Sequence, residues 1–557
     1  MIGHRSPISG IDSTDDHVAT AGYDNRVILW DRHTGDPLVV GNHDHLANQC
    51  RFGASGRLLV TSSSDFSARI WDVPTMRLRA VLTDHDDDVE MSVLSPDEGA
   101  VATASRDHLV RVFGVDGTLR ARMAGHEADV LSVEWVADGK ELVTSSDDGT
   151  VRRWDPAAGT LLQTIDLGDV ETDTIAPAGH GTVFAGNDEG QLVVVSPAGV
   201  TKHDAHAAGV KRVIFDPARR LLVSSSYDRT IRLWRVGPDL GLEHLATSDV
   251  PGIVWLRSCA FAGPDALVFG TFGTTYATYD LRSGEWDTSR VRDTGGVNAV
   301  AEVDGRVYTV GDAGVVRRDG EVVASPGSCC NFLVHFAGHT LTGGQLGTVF
   351  DADTGAPVHQ HRSPLNCGVV VGDKLVLGTY TGEGLVFTAE GGEVRYAGEV
   401  RLHDNAIKGI TANDRHLFSV SATAAAGFHA LPDFTADAVL EDAHDMIADG
   451  ASVLPDGRFV SVSRDRKLRI FDGPAPAEVI DTPHENSHKA VAVDPATGLV
   501  ATTGYRGRVS VYDPATGDWV YDRRLTMSGI SAVTPTSRAG RFLASSYDGG
   551  VYEVLAR

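Results

Sequence analysis

The stretch Ala21-Gly22-Tyr23-Asp24-Asn25-Arg26-Val27-Ile28-Leu29-Trp30-Asp31 leaves one apolar strand, turns at an aspartate, and re-enters a strand closed by tryptophan. Ser225-Ser226-Tyr227-Asp228-Arg229-Thr230-Ile231-Arg232-Leu233-Trp234 repeats it, and so does Thr144-Ser145-Ser146-Asp147-Asp148-Gly149-Thr150-Val151-Arg152-Arg153-Trp154-Asp155. The aspartate stands six residues before the aromatic in Asp24/Trp30, Asp65/Trp71, Asp148/Trp154 and Asp228/Trp234, and in Asp107/Phe113 and Asp465/Phe471, where Phe closes the strand. A histidine precedes each turn by 20–22 residues: His4, His45, His85, His126, His206 and His444. The interval holds two alternating strands joined by a turn such as Ser55-Gly56 or Asp456-Gly457, and a further turn and strand follow the aromatic. Each unit therefore reads as four antiparallel strands.

That period changes what the length means. At roughly 100–200 residues per domain the chain would hold several ordinary domains. Units of about 40 residues instead fill all 557 residues with fourteen copies, starting near residues 4, 43, 85, 126, 169, 206, 250, 296, 328, 365, 403, 444, 484 and 528. The histidine–aspartate–tryptophan set is missing from the fifth unit and from the seventh to the eleventh, which keep only strand, glycine turn and strand.

Composition bounds the chemistry. Hydrophobic residues make up 42% and charged residues 22%, values of an ordinary globular chain. Acidic residues outnumber basic ones 75 to 49, a formal charge of −26. Such a surface repels phosphate backbones and anionic lipid, so neither nucleic acid nor membrane is expected as a partner. Five cysteines without regular spacing form no disulfide framework. The start Ile2-Gly3-His4-Arg5-Ser6-Pro7 has no apolar signal region, and no apolar run approaches the roughly eighteen residues of a membrane span. A cytoplasmic, reduced protein is the expectation.

The pattern resembles the WD40-repeat family, through the dipeptides Gly3-His4 and Gly125-His126, the endings Trp30-Asp31, Trp71-Asp72 and Trp154-Asp155, and the aspartate turns in register. The resemblance implies an all-β fold of β-propeller blades. Propellers hold about four to eight blades, so fourteen repeats divide into two seven-bladed β-propellers. The expected domains are 1–293 and 294–557. The last repeat runs out at Tyr552-Glu553-Val554-Leu555-Ala556-Arg557, so its blade is expected to have three strands, unless the rings interleave through the termini.

In that family the dipeptide histidine bonds the turn aspartate, a strand serine or threonine, and the closing tryptophan. The resemblance thus assigns His4, Asp24 and Trp30, His126, Asp148 and Trp154, and His206, Asp228 and Trp234 to blade locking, together with Asp65 and Trp71. A site copied six times is structural, since catalysis needs one. Cys50, Cys259, Cys329, Cys330 and Cys367 fall near the first strand of their repeats, the channel-lining strand. Cys329, Cys330 and Cys367 are the candidates for a soft metal, weighed against small residues on a crowded strand. No CxxC, HExxH or phosphate loop occurs, and no cofactor is implied.

In this family the residue before the turn aspartate lies on the loop face where partners bind. That rule selects Tyr23, Arg106 and Tyr227 in the first half, with Trp255 nearby, and Arg464, Tyr505 (before Arg506, which replaces the aspartate) and Tyr547 in the second. Tyrosine and arginine dominate binding energy at interfaces. Near the second channel mouth, Asn298, Asn366, Lys408, His488 and Lys489 could focus an anionic group or an acidic peptide. The expected function is a non-catalytic scaffold for protein or peptide partners, as part of a larger complex. The alternative is an enzyme, or an accessory subunit of one, using Cys330, Cys367, Lys408 and His488.

Overall fold

The protein is seen as a computed structural model describing residues 2–136, 139–168, 170–179 and 181–556. Asp169, the start assigned to the fifth repeat, lies outside them. The chain divides into two compact units, Met1–Asp293 and Thr294–Arg557. Thirteen antiparallel sheets have four strands in simple meander order, and the last has three, Ile530–Pro535, Arg541–Ser546 and Val551–Leu555. Each unit holds seven sheets.

The first strands of successive sheets lie side by side around each unit and enclose a channel. In the first unit they are Ile8–Ser13, Ala47–Phe52, Val89–Leu94, Val130–Val136, Thr174–Gly179, Val210–Asp216 and Val254–Phe261. In the second they are Val297–Val303, Cys330–Phe336, Leu365–Val371, Ile407–Ala412, Ala448–Val453, His488–Val493 and Ile530–Pro535. The fold is two seven-bladed β-propellers.

Each ring closes on its own residues. Ile8–Ser13 lies beside Val254–Phe261, where Ile11 N–H donates to Ser258 Oγ at 2.8 Å and Ser13 Oγ donates to the Phe261 carbonyl at 2.6 Å. In the second unit Ser531 Oγ donates to the Val297 carbonyl and Ser537 Oγ to Glu302 Oε1. The alternative of rings interleaved through the termini is therefore corrected. The three-stranded sheet completes its ring without a borrowed strand, because its inner strand makes the closing contacts.

Burial follows strand order. Second strands such as Leu58–Ser63 and Ala100–Ser105 are buried along their whole length, sandwiched between neighbouring blades. Fourth strands such as Arg77–Leu82 and Thr160–Asp166 are largely exposed, including apolar side chains such as Leu78 and Leu162. Valine, leucine and alanine clusters fill the space between adjacent sheets. Gly382, at φ 89°, shows why glycine marks the turns: a Cβ there would sit 2.0 Å from the His403 carbonyl oxygen. No helix among the described residues is long and apolar enough to cross a membrane.

Candidate binding faces at the channel mouths

The repeated aspartate is explained first by its own turn. In seven repeats its carboxylate accepts the backbone N–H two residues on, as in Thr150 to Asp148 Oδ1 at 3.0 Å and Lys467 to Asp465 Oδ1 at 2.9 Å. The residue between them takes positive φ: Asn25, Phe66, His108, Gly149, Arg229, Arg466 and Gly549. This is an Asx-type turn, which aspartate makes with its own side chain.

The locks then consume the histidines. His126 Nδ1–H donates to Asp148 Oδ2 at 2.8 Å, so Nε2 accepts from the Thr144 hydroxyl at 2.8 Å, whose oxygen accepts Trp154 Nε1–H at 2.9 Å. The same chain runs through His4, Asp24, Thr20 and Trp30, and through His206, Asp228, Ser224 and Trp234. For Asp65 and Trp71 the partner is His43, not His45: His43 Nδ1 lies 3.0 Å from Asp65 and Nε2 2.7 Å from Thr61 Oγ1. Where Phe replaces Trp the lock differs. His85 and His444 donate to the Phe66 and Ala424 carbonyls, and Asp107 and Asp465 pair with Arg111 and Arg469 four residues on.

What remains at the mouths is organised by a recurrent β-bulge. In twelve of the fourteen inner strands the register slips at the second residue. A bulge re-aims the extra side chain, here at the strand end that also carries the aspartate turn. Leu131 aside, the uncharged residues at this position stitch blades together by donating to the first carbonyl of the next inner strand. Ser9 donates to Ala47 O at 2.6 Å, Asn48 to Val89 O at 3.0 Å, Asn298 to Cys330 O at 3.3 Å, Asn331 to Leu365 O at 3.0 Å, Asn366 to Ile407 O at 2.9 Å, and Ser531 to Val297 O. The charged residues at the bulge are Glu90, Lys211, Lys408, Asp449 and Lys489.

The first mouth is roofed by an internal ionic network. Arg257 reaches across it, donating to Tyr23 Oη at 3.1 Å and to Glu90 Oε2 at 2.8 Å. Arg106 bonds Glu90 at 2.5 Å and also Asp129, while Lys211 is held by Asp173 and Asp188 and lies 4.8 Å from the Tyr227 ring. Trp255 is buried, edge-on to Tyr23 at 5.2 Å and stacked on Phe272 at 5.4 Å. The candidates Tyr23, Arg106, Tyr227 and Trp255 do come together here, but bound to one another's neighbours. Burial, with the charge of Asp129, pushes the Asp147 carboxyl up; burial and Asp147 do the same to Glu171.

The second mouth has the opposite sign. Asp449, with a side chain 1% exposed, lies 3.2 Å from Arg464 and 3.7 Å from Lys489. Burial would raise its carboxyl, but Lys489, Arg464 and Lys408 outweigh that and hold it below the usual carboxylate range. Lys408 sits 4.8 Å from the Tyr380 ring. Tyr505 and Tyr547 flank Gly529, where a Cβ would meet the two rings at 3.2 and 3.0 Å.

Two candidates move. His488 is fully buried, bonded to Thr482 Oγ1 at 2.9 Å and the Thr503 carbonyl at 3.3 Å, so it presents no surface; it is the first residue of its inner strand, before the bulge. Tyr505 is 8% exposed, covered at the neighbouring repeat's edge. The cysteines do not gather. Cys329 contacts Asn298, Asp312 and Asn331, Cys330 donates to the Ser328 carbonyl, and Cys367 faces the Ile407 carbonyl at 3.9 Å. Among the described residues no group of three histidine, cysteine or carboxylate side chains is arranged to hold a metal. Asp449, Glu90, Lys211, Arg257 and Tyr380 were not selected by the turn rule. The signal for Asp449, Glu90 and Lys211 is a polar residue directly after the first apolar residue of an inner strand; Arg257 and Tyr380 carry no such signal.

A family model described as the WD domain, G-beta repeat, matches residues 1–31, 37–72, 76–114, 117–155 and 199–235. Over these five stretches the chain carries WD40 repeats. The matched WD40 repeats coincide with blades that carry the histidine lock or its phenylalanine variant. An uncharacterised WD repeat-containing protein of Schizosaccharomyces pombe is 26% identical over 252 residues, covering 42% of this chain and 68% of the relative. WD repeat-containing protein 37 of Mus musculus is 25% identical over 311 residues, 54% of this chain and 53% of its own length. Nuclear distribution protein nudF of Aspergillus niger is 26% identical over 191 residues, 30% and 43% respectively. The chain thus spans about half, or less, of the latter two.

Proposed function

We propose that the chain is a non-catalytic protein-interaction scaffold, and that the mouth of the second propeller receives an acidic segment of a partner protein. The observation that carries this is the convergence of Lys408, Arg464 and Lys489 on one buried carboxylate, Asp449, in a chain of net charge −26. Cations gathered at a mouth focus the field toward an anionic group. Tyr380 and Tyr547 beside them supply the aromatic surface that interfaces favour. WD40 repeats support interaction in general. The four groups an enzyme reading would use, Cys330, Cys367, Lys408 and His488, each make separate contacts. A role as a component of a larger complex in the cytoplasm belongs to the same proposal.

The test is fluorescence polarisation with a labelled glutamate-rich peptide and its lysine-rich counterpart. The acidic peptide should bind, with affinity falling as salt rises. Lys408→Glu with Lys489→Glu should weaken it by at least about tenfold, equivalent to about 1.4 kcal/mol. Equal binding of the two peptides, or an unchanged affinity in the double variant, would refute the reading.

A further inference from the structure

Below the roofed mouth of the first propeller, the channel contains a second set of charges. Arg51, on the inner strand Ala47–Phe52, lies 3.1 Å from Glu134 on Val130–Val136 and 3.9 Å from Asp12 on Ile8–Ser13. The strands of Arg51 and Glu134 are separated in the ring by Val89–Leu94, so this pair crosses the channel. Asp12 is engaged further, accepting the Phe52 N–H at 2.8 Å. The Arg51 charge is answered.

Arg212 is not answered in this way. It belongs to the inner strand Val210–Asp216, paired with Ser225, and is only 5% exposed. Among the described residues it makes no hydrogen bond and no ion pair, and its buried Nε has no partner. Burial and the like charge of Arg51 lower its affinity for its proton and outweigh the opposing charges of Glu134 and Asp12, which bond elsewhere; the buried thiols Cys50 and Cys259 lie within its field. A guanidinium carries five donors in a fixed planar fork, and burying it without an anion or acceptor is costly. Other arginines of this propeller also leave a buried Nε unpartnered, Arg69, Arg111, Arg229 and Arg232 among them, but Arg212 is the one set on an inner strand beside a second guanidinium.

We propose that the channel of the first propeller binds a small oxyanion, presenting two oxygens to the Arg212 fork with Arg51 as the second cation. Carboxylate and phosphate share this geometry, and arginine meets either through paired N–H donors.

The experiment is thermal unfolding of the full chain in inorganic phosphate and, separately, in acetate, at constant ionic strength made up with chloride. One or both should raise the melting temperature saturably, by several degrees at about a hundredfold excess over Kd. Whichever stabilises more identifies the oxyanion. Arg212→Met should abolish that rise and, without ligand, unfold no earlier than the wild type, because it removes an uncompensated buried charge. Arg212→Gln provides the same reading should the methionine variant fold poorly. Both should bind the acidic peptide at the second propeller as the wild type does, which separates this inference from that one. The proposal is overturned by no saturable rise in either salt, or by a rise of equal size in the Arg212 variants.

Discussion

Replacing Thr144 by valine tests the blade lock at its pivot. The hydroxyl is the one group that both donates to His126 Nε2 and accepts from Trp154 Nε1, at 2.8 and 2.9 Å. Thr144 is fully buried and Trp154 is 1% exposed, so water cannot replace it. Valine keeps the shape and removes both bonds, orphaning one donor and one acceptor. At about 1–3 kcal/mol for each buried group left unsatisfied, the loss is about 2–6 kcal/mol. Thr144→Ser keeps the hydroxyl and loses one methyl, about 1 kcal/mol, and Ser224 already serves in this position with Trp234. Urea unfolding followed by tryptophan fluorescence gives the stabilities. Hydrogen exchange across Glu141–Ser146 and Thr150–Asp155 places the effect in this blade, since the second propeller need not unfold with the first. If valine costs no more than serine, the hydroxyl relay does not hold the blade and the reasoning fails.

Asn366→Ala removes a stitch between blades, the bond to the Ile407 carbonyl at 2.9 Å, and should cost about 1 kcal/mol with faster amide exchange along Ile407–Ala412; unchanged exchange there would deny the stitch its role. Burial lowers His403, His429 and His488 to about 4, so the neutral ring is the folded form. Their contribution is fully present above the ordinary value near 6.5 and is lost as pH falls toward 4. In the first propeller, Asp147, Glu171 and Asp173 are raised chiefly by burial, which contributes stability at low pH that is lost as pH rises. Exchange measured from pH 7 to 4 should therefore show protection falling along Ala426–Ala430 and His488–Val493, which hold His429 and His488, and unchanged protection there would contradict these environments. Burial also pushes the Cys259, Cys330 and Cys367 thiols up to about 12, so a thiol reagent at pH 8 should leave the native protein nearly unlabelled and reach all five cysteines in urea; rapid labelling of the native chain would show that the inner strands are open.

The repeat was legible because each of its parts solves a local problem. The aspartate makes its own turn within two residues, and the strand lengths between histidine, aspartate and tryptophan set the spacing that closes their bonds. Even the exceptions have local causes, as where phenylalanine, lacking an N–H, accompanies a histidine that bonds a carbonyl. The one misreading among the locks, His45 for His43, arose because both spacings fall within the range the repeat allows, and only the folded geometry selects the ring that reaches Thr61.

The mouths were only partly legible. Lys408 and Lys489 stood out against an acidic composition, while Asp449, which gathers them, looked like one carboxylate among 75 acidic residues. His488 looked accessible from its neighbours in sequence, yet the bulge one residue later turns Lys489 to the mouth and leaves the imidazole inside. A one-residue slip in register exchanges the faces of a strand, and no periodicity along the chain announces which residue is slipped.

The sequence by itself determined the blade, its count and its locks, because these rest on contacts between residues within one repeat of about 40. Tertiary structure alone decided which charges meet. Arg257 and Glu90, Arg51 and Glu134, or Arg212 and the channel around it belong to repeats far apart along the chain. Ring closure brings them together, and burial then sets what each charge is worth.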